Sequence, residues 1–188
     1  MKKKLLVFVT SLMIALAAVG CGSDKNDKSE GGDTTVDSET AVSDDSLAAK
    51  ARFVYNGVEF GAGDKASEVV AKLGDQIKPS EKSQPCVPGS SEIETYYFPG
   101  FTFDVSKDDV IFSICLTNDY DDSKDCTTVG GVGIGKSLDD AKSILGTDNC
   151  EENEFGLTYT EGDIYLSVSI DDDGNVFSVR VEDTSIEF

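Results

Sequence analysis

The sequence predicts an α+β domain made of two tandem repeats. Each repeat is a helix followed by an antiparallel meander, with all strands in one sheet and the helices on one of its faces. Two observations predict this fold class. A glycine-flanked apolar segment stands at residues 57–61 and again at 131–135, with starts 74 residues apart. Each leads to a helical pattern that ends in Leu-Gly, at Gly74 and at Gly146.

Both helices are predicted from apolar residues at helical spacing, which form one narrow stripe per helix and are typical of core packing. Ser137 is placed to cap the second helix, with Asp140 in the capping-box position. Asp64 is the expected cap of the first helix. Gly74 and Gly146 stand where a left-handed residue commonly follows a helix. The stripes are Ala66, Val69 and Leu73 in the first helix and Leu138, Ala141 and Leu145 in the second.

Three strands follow each helix, separated by turn residues such as Pro99-Gly100 and Asp172-Asp173-Gly174. The expected strands are 94–98, 101–105 and 109–117 in the first copy, and 156–160, 164–170 and 175–182 in the second.

The last strand of each copy alternates between apolar and polar residues, so one face of the sheet should meet the helices and the other should be open. The helix side takes Phe112, Ile114 and Leu116, with Phe177, Val179 and Val181. The open side takes Ser113, Cys115, Ser178 and Arg180.

The N-terminus has the pattern of an export signal: three lysines at 2–4, an apolar run at 5–19, and small residues before Cys21. The end of this run resembles a bacterial lipobox. That resemblance implies removal of residues 1–20 and a diacylglycerol on the sulfur of Cys21. The protein would then be held at the cell membrane by its lipid, facing outside the cytoplasm. An ordinary secretory signal and a retained helical anchor are the alternatives.

Residues 21–51 read as the lipidated cysteine followed by a disordered acidic linker, because residues 22–50 lack aromatic residues and are rich in Ser, Asp, Gly and Thr. Residues 52–188 then form a single globular domain. We place the first repeat at about 53–128 and the second at about 129–188.

Charge and composition exclude several functions. The chain has 16 Lys and Arg against 36 Asp and Glu, a net charge of −20, which argues against nucleic acid as a partner. It has no histidine, so every Ser-His or Cys-His nucleophile is excluded, and the commonest transition-metal ligand is missing. We therefore expect no catalytic residues and no cofactor beyond the covalent lipid.

Four cysteines remain in the mature protein: Cys86, Cys115, Cys126 and Cys150. An even number in an exported protein predicts two disulfides, and four cysteines allow three pairings. Cys115 with Cys126 is favoured because the two flank an acidic loop, and Cys86 with Cys150 because both follow a helix. A zinc site is the alternative, although no CxxC spacing supports it.

Three further segments carry candidate sites. Asp119, Asp121, Asp122 and Asp125 could supply oxygens to calcium, but a solvated acidic loop is favoured because the spacing does not match an EF-hand. Residues 130–137 match the phosphate-loop pattern, yet no parallel βαβ succession surrounds them. An aromatic cluster that includes Tyr96, Tyr97 and Phe101 is either core or, on the open face, a partner-binding surface.

The recurring "Gly-apolar-x-apolar-Gly … Leu-Gly" openings resemble the beta-lactamase inhibitory protein fold, which has two such repeats, and the small lipoprotein of the barrel-assembly machine, which has one. The chain is also similar to uncharacterised lipoproteins of clostridia-type Gram-positive bacteria. The resemblance implies a sheet face that contacts a protein partner. We therefore expect a non-catalytic binding or interaction module for a protein or small ligand of the envelope. The alternatives are an inhibitor or assembly modulator of envelope proteins, and an extracytoplasmic enzyme that uses carboxylates.

Overall fold

The computed structural model describes residues 45–86, 89–117 and 125–187. The helices in this part of the chain are α1 (Leu47–Lys50), α2 (Ala66–Leu73) and α3 (Leu138–Leu145). The strands are β1 (Phe53–Tyr55), β2 (Val58–Phe60), β3 (Lys78–Ser83), β4 (Ile93–Phe98), β5 (Phe101–Val105), β6 (Ile111–Thr117), β7 (Thr127–Thr128), β8 (Cys150–Asn153), β9 (Gly156–Glu161), β10 (Ile164–Ile170) and β11 (Val176–Asp183).

The strands form two antiparallel sheets, so the fold belongs to the α+β class. The larger sheet has eight strands in the order β3-β4-β5-β6-β11-β10-β9-β8, and the smaller has the order β2-β1-β7. The expectation of a single sheet was wrong. The 57–61 segment forms β2, which pairs with β1 through a two-residue turn, Asn56-Gly57, with positive φ at both residues. Asn-Gly is a strong hairpin signal, and it directs this segment away from the large sheet.

The large sheet has a first half, β3 to β6, and a second half, β8 to β11. The two halves show matching backbone hydrogen bonds. Before α2, Gly63 N donates to Ile111 O at 2.8 Å, and Ile111 N donates to Asp64 O at 3.0 Å. Before α3, Gly135 N donates to Val176 O at 2.7 Å, and Val176 N donates to Lys136 O at 2.7 Å. An isolated bridge continues each set, Lys65 with Val110 and Ser137 with Asn175. In both halves, the residues before the helix are thus fixed to the start of the last strand.

A β-bulge interrupts each of these last strands at the same place. Val105 pairs with Ile111 and Asp104 with Ser113, so Phe112 is skipped in the β5–β6 ladder. In the β10–β11 ladder the skipped residue is Phe177. A bulge changes which residues face the core. Ile111 and Val176 therefore take the core positions that were expected for the two phenylalanines. Phe177 is 43% exposed, whereas Phe112 is 7% exposed and buried outside the core cluster.

The core lies between the helices and the inward faces of the strands. α2 contributes Ala66, Val69 and Leu73, and α3 contributes Ala141 and Leu145. Fully buried aromatic rings fill the first half, with 5.3 Å between the ring centroids of Phe60 and Phe101. Burying such a ring stabilises a fold by roughly 2–3 kcal/mol. The sheet and the short helices therefore depend on each other, because an isolated helix of eight residues is not stable in water.

The helix caps are as expected at α3 but not at α2. The Ser137 hydroxyl accepts from Asp140 N at 3.1 Å. Asp64 does not cap α2; its carboxylate accepts from Gly61 N at 2.9 Å and contacts Arg52 Nη2 at 2.9 Å. Asp109, from the β5–β6 turn, instead accepts from Ser67 N at 3.1 Å. A residue distant in sequence thus caps this helix, which a local pattern could not reveal.

The fold begins before residue 52. Leu47 and Ala51 are 7% and 4% exposed and belong to the core. Leu47 N donates to Glu161 Oε2 at 2.5 Å, and Lys50 Nζ donates to Leu145 O at 3.3 Å. The last residues assigned to the linker are therefore part of the domain. None of the helices in the described residues is long and apolar enough to cross a membrane.

Candidate functional site

A polar cavity of about 290 Å³ lies at the ends of β4 and β5, near the start of α2. We call it the Tyr96 pocket. Tyr96, Val105 and Ser106 form its inner wall. The charged groups around them are Lys82, Glu92, Glu94, Lys107 and Asp109.

Strand register brings these residues together. Lys82 on β3 pairs with Glu94 on β4, and Glu94 pairs with Val105 on β5. Tyr96 lies two residues along β4 from Glu94 and therefore on the same face. Its ring stacks on Phe103, with 5.2 Å between centroids and 19° between planes. The core thus holds the base of the pocket, while the charged side chains reach its rim.

Several of the charged groups are paired within the pocket. Lys82 Nζ lies 3.1 Å from Glu92 Oε2 and 4.0 Å from Glu94 Oε2. The hydrogen bond with Glu92 is the largest effect that raises the pKa of Lys82. Burial, followed by the Glu94 charge, raises the pKa of Tyr96. Both shifts favour the protonated forms, so the Lys82 ammonium and the Tyr96 phenol are hydrogen-bond donors in the lining.

Two neighbouring donors in the pocket have no partner among the described residues. The side chain of Ser106 is buried, with 6% of the residue exposed, and its hydroxyl makes no hydrogen bond. Lys107 is exposed and makes no ion pair with the described residues. A buried unsatisfied hydroxyl is destabilising by about 1–3 kcal/mol and is uncommon in folded proteins.

The second half of the sheet contains a turn of the same form, in which the equivalent side chain is satisfied. Ser106 N donates to Val110 O and Asp109 N to Ser106 O, at 2.9 and 3.1 Å. Asp171 N donates likewise to Asn175 O and Gly174 N to Asp171 O, at 2.9 and 3.0 Å.

The side chain of Asp171 accepts from the backbone N–H groups of Asp173 and Asn175, at 3.0 and 2.9 Å. Ser106 occupies the same place in its own turn, but its side chain accepts no such hydrogen bond from the backbone of that turn. Ser106 lines the pocket, and its hydroxyl is buried there without a hydrogen-bond partner among the described residues.

The expected partner surface of Tyr96, Tyr97 and Phe101 is not a continuous exposed patch. Phe101 is fully buried in the core, so it cannot meet a partner. Tyr97 is 7% exposed, lies under Lys78 with Nζ 3.7 Å from the ring centroid, and donates to Glu81 Oε2 at 2.9 Å. Alternation along β4 sends Tyr96 to the opposite face from Tyr97. Of the three, only Tyr96 lines a cavity with unused polar groups.

No disulfide joins any of the four described cysteines. The expected Cys115–Cys126 pair is not formed in this structure: Cys115 alternates with the buried Ile114 and Leu116 and therefore lies on the other face, whereas Cys126 is in the core.

The expected Cys86–Cys150 pair is not formed in this structure either. Cys86 follows β3 and Cys150 begins β8, which are the two edge strands of the large sheet. The edges are seven strand spacings apart, roughly 34 Å, whereas bridged Cα atoms lie within about 7 Å.

The remaining candidate sites are placed as follows. Asp119, Asp121 and Asp122 lie outside the described residues, as does Cys21, and Asp125 is exposed. Within the described ranges, no group of three His, Cys, Asp or Glu side chains is arranged to hold a metal ion. In the 130–137 segment, the Ser137 hydroxyl serves as the cap of α3.

The open face of the large sheet carries a second polar group that the sequence did not single out. Asp104 accepts from Thr95 Oγ1 at 2.6 Å, and Arg180 Nη2 contacts Glu182 Oε1. Burial raises the pKa of the Asp104 carboxyl, while Thr95 and Arg180 partly oppose the shift. These residues form part of the flat sheet surface, and none of them lines the Tyr96 pocket.

The sequence offered one signal for the Tyr96 pocket. The turn of the first half reads Ser106-Lys107-Asp108-Asp109, whereas the matching turn reads Asp171-Asp172-Asp173-Gly174. Ser and Lys thus replace two acidic residues in a strongly acidic chain. The importance of that difference depends on Tyr96 and Glu94, which come from another strand.

No protein-family model and no curated protein matches the chain. Among solved structures, an extracellular protein containing a SCP domain from Bacillus anthracis is similar, with 12% identity and a TM-score of 0.45. The alignment covers 65% of this chain and 44% of that protein. At this level the likeness supports no argument about function.

Proposed function

We propose that this protein is a lipid-anchored, extracytoplasmic and non-catalytic binding module that holds a small polar ligand in the Tyr96 pocket. The observation that carries the proposal is a cavity lined by Ser106, whose buried hydroxyl has no partner among the described residues, and by Lys107, which forms no ion pair with any of them. Buried polar groups without partners need a reason in a stable fold. A ligand that accepts hydrogen bonds supplies one.

The proposed location rests on the leader and Cys21. Two or more acyl chains hold a protein stably on a membrane, and a folded domain attached to them stays in water. The test is labelling of growing cells with radioactive palmitate. The wild-type protein should take up label and fractionate with membranes, whereas C21S should do neither. Unlabelled wild-type protein, with C21S still in the membrane fraction, would contradict the lipid anchor.

We also propose that the large sheet consists of two copies of one helix-plus-meander unit, with the helices on the same face. Three features support this: the mirrored strand order, the bulges at Phe112 and Phe177, and the matched hydrogen bonds before α2 and α3. A crystal structure with the two bulges at non-equivalent places would overturn the repeat.

Ligand binding is tested on the full-length lipoprotein, purified from its own membranes in detergent. Native mass spectrometry should show a small-molecule adduct on the wild-type protein. The adduct should be lost from Y96A, because that change removes the wall of the pocket. Y165A is the matched control, since Tyr165 lies on β10, away from the pocket.

Two results would contradict the binding function. One is an adduct that Y96A retains. The other is a wild-type protein without an adduct whose Ser106 and Lys107 amide resonances stay unchanged when an extract of the cell envelope is added.

A further inference from the structure

We propose that the ligand of the Tyr96 pocket is a neutral, hydroxyl-rich ring, that is, one sugar residue of a glycan. This inference rests on the binding function proposed above and gives it a ligand class. It follows from three properties of the lining: charges of mixed sign, an aromatic wall, and two unused donors.

The charges of the lining are mixed rather than separated. Lys82 lies between Glu92 and Glu94, and Lys107 is two residues from Asp109. An anionic ligand near the lysines would also face carboxylates, and a cationic ligand near the carboxylates would also face ammonium groups. A hydroxyl both donates and accepts hydrogen bonds, so a neutral polyol can use both kinds of group at once. Such bonds to charged partners are stronger than those between neutral groups.

The aromatic wall suits a ring with apolar C–H faces. Phe103 supports one side of the Tyr96 ring, which keeps the ring in a fixed plane. An amphipathic aromatic side chain offers an apolar surface together with a polar end. A sugar ring has the complementary form, with C–H groups on its faces and hydroxyls around its edge.

The two unused donors belong to neighbouring residues, Ser106 in the inner wall of the pocket and Lys107 at its rim. The Ser106 hydroxyl and the Lys107 ammonium can both donate to ligand oxygens, and neither has a described partner. The Ser106 hydroxyl is buried, so we propose that it turns about χ1 to another staggered position when it donates to the ligand. The matching turn of the second half presents Asp171 and Asp172 instead, so it lacks these donors.

The size of the cavity limits what enters it. At about 290 Å³ it is slightly smaller than most ligand pockets, which span roughly 300–1,000 Å³. One ring fits such a volume, so a longer glycan would place a single residue inside and leave the rest on the surface.

The experiment uses the full-length lipoprotein, labelled with ¹⁵N, in a detergent without a sugar headgroup. The neutral probes are chitotetraose, cellotetraose and maltotetraose. The charged probes are inorganic phosphate, putrescine and glutamate. The readouts are the amide resonances of Ser106 and Lys107 and the dissociation constant from titration.

At least one neutral oligosaccharide should shift both resonances at millimolar concentration. S106A and K107A should each weaken that binding about tenfold, because each removes one donor to the ligand. D172A is the matched control, since Asp172 occupies the place of Lys107 in the other turn, and its dissociation constant should equal that of the wild type.

The other outcomes separate the two proposals. If a charged probe shifts the Ser106 and Lys107 resonances and no sugar does, the inference of a glycan ligand is overturned, while the proposed binding function stands. Sugar binding that K107A and S106A leave unchanged would place the ligand elsewhere and overturn the inference. No response to any probe, together with an adduct-free native mass spectrum, would overturn both.

Discussion

Cys115 on β6 lies directly opposite Arg180 on β11, at the centre of the eight-stranded sheet. The two residues hold equivalent positions: Cys115 is four residues beyond Ile111, and Arg180 is four beyond Val176, where the two bulges begin. The antiparallel register of β6 with β11 is therefore locally twofold about this pair. Self-complementary pairing of this kind is what joins identical subunits in symmetric dimers. Here it joins the two halves of one chain, in agreement with the repeat that we propose.

The unpartnered Ser106 hydroxyl should make the domain less stable than its alanine variant. S106A removes a buried polar atom that has no hydrogen bond, so we expect the free energy of unfolding to rise by about 1 kcal/mol. Urea unfolding followed by circular dichroism measures it. Most buried substitutions have the opposite sign. A loss of about 1 kcal/mol would mean that the hydroxyl has a structural partner.

D171A provides the comparison at the equivalent turn. Asp171 accepts two backbone N–H bonds, so its removal should lower the free energy of unfolding. If the free energy of unfolding rises in S106A and falls in D171A, the Asp171 side chain stabilises its turn and the Ser106 side chain does not stabilise its own.

Asp104 should make the stability depend on pH. Burial is the largest cause of its raised pKa, with a smaller contribution from the Glu182 charge. A carboxyl with a higher pKa in the folded protein binds its proton more tightly there than in the unfolded chain. Its contribution to stability is therefore full below the unfolded pKa and is lost as pH rises through the folded pKa.

D104N should remove that contribution to the pH dependence while keeping an oxygen for Thr95. We expect the variant to gain stability relative to the wild type as pH rises from 4 to 7, measured as urea midpoints across that range. A constant difference between the two proteins over this range would contradict the assignment.

Gly156 should be much less tolerant of substitution than Gly162. A Cβ at Gly156 would lie 1.9 Å from the backbone oxygen of Val168, at a φ of +137°. Because the obstacle is backbone, the sheet itself must move, and we expect G156A to lose more than about 2 kcal/mol. At Gly162 φ is +59° and a Cβ would meet nothing within 4 Å, so G162A should lose about 1 kcal/mol. Equal losses, measured by thermal or urea unfolding, would contradict this placement of β9.

Cys86 and Cys126 should react with thiol reagents at very different rates. The thiolate is the reactive form of cysteine. Cys86 is exposed, whereas Cys126 is 1% exposed and burial raises its pKa well above the ordinary value. Peptide mapping after native labelling with iodoacetamide should find the label on Cys86 and find Cys126 protected until the protein is unfolded.

C86S controls for the assignment, since it should remove the fast-reacting site alone. If Cys86 in the exported protein reacts only after reduction, it is oxidised, and the prediction of a fast-reacting thiol is contradicted.

Much of the secondary structure follows from local pattern. The strands from Phe101 to Val105 and from Ile164 to Ile170 have the predicted bounds, and α3 begins after the predicted cap at Ser137. In these strands apolar and polar residues alternate clearly, and the helix has a capping residue. β3 lacks such alternation, because it is a polar edge strand with Pro79 and mostly exposed residues. The hairpin of β1 and β2 is also short, at three residues a strand.

The candidate site was less predictable than the strands. The sequence predicts one aromatic partner surface of Tyr96, Tyr97 and Phe101. Only Tyr96 of these three lines the pocket. The Tyr96 pocket needs Lys82 from β3, Glu94 from β4 and Ser106 from the following turn. No local signal places these three together, because their meeting depends on the register of β3 with β4 and of β4 with β5.

By itself the sequence determined the class of the fold, the main turns, the acidic charge and the expectation of a lipid-bearing Cys21. These follow from composition and short-range spacing, which act through local backbone preferences and hydropathy. Tertiary structure alone decided that Phe177 faces outward, that Cys86 and Cys150 lie near opposite edges of the large sheet, and that the Ser106 hydroxyl is buried without a partner among the described residues. Those outcomes arise from strand register and bulges, in which a shift of one residue moves a side chain to the other face of the sheet.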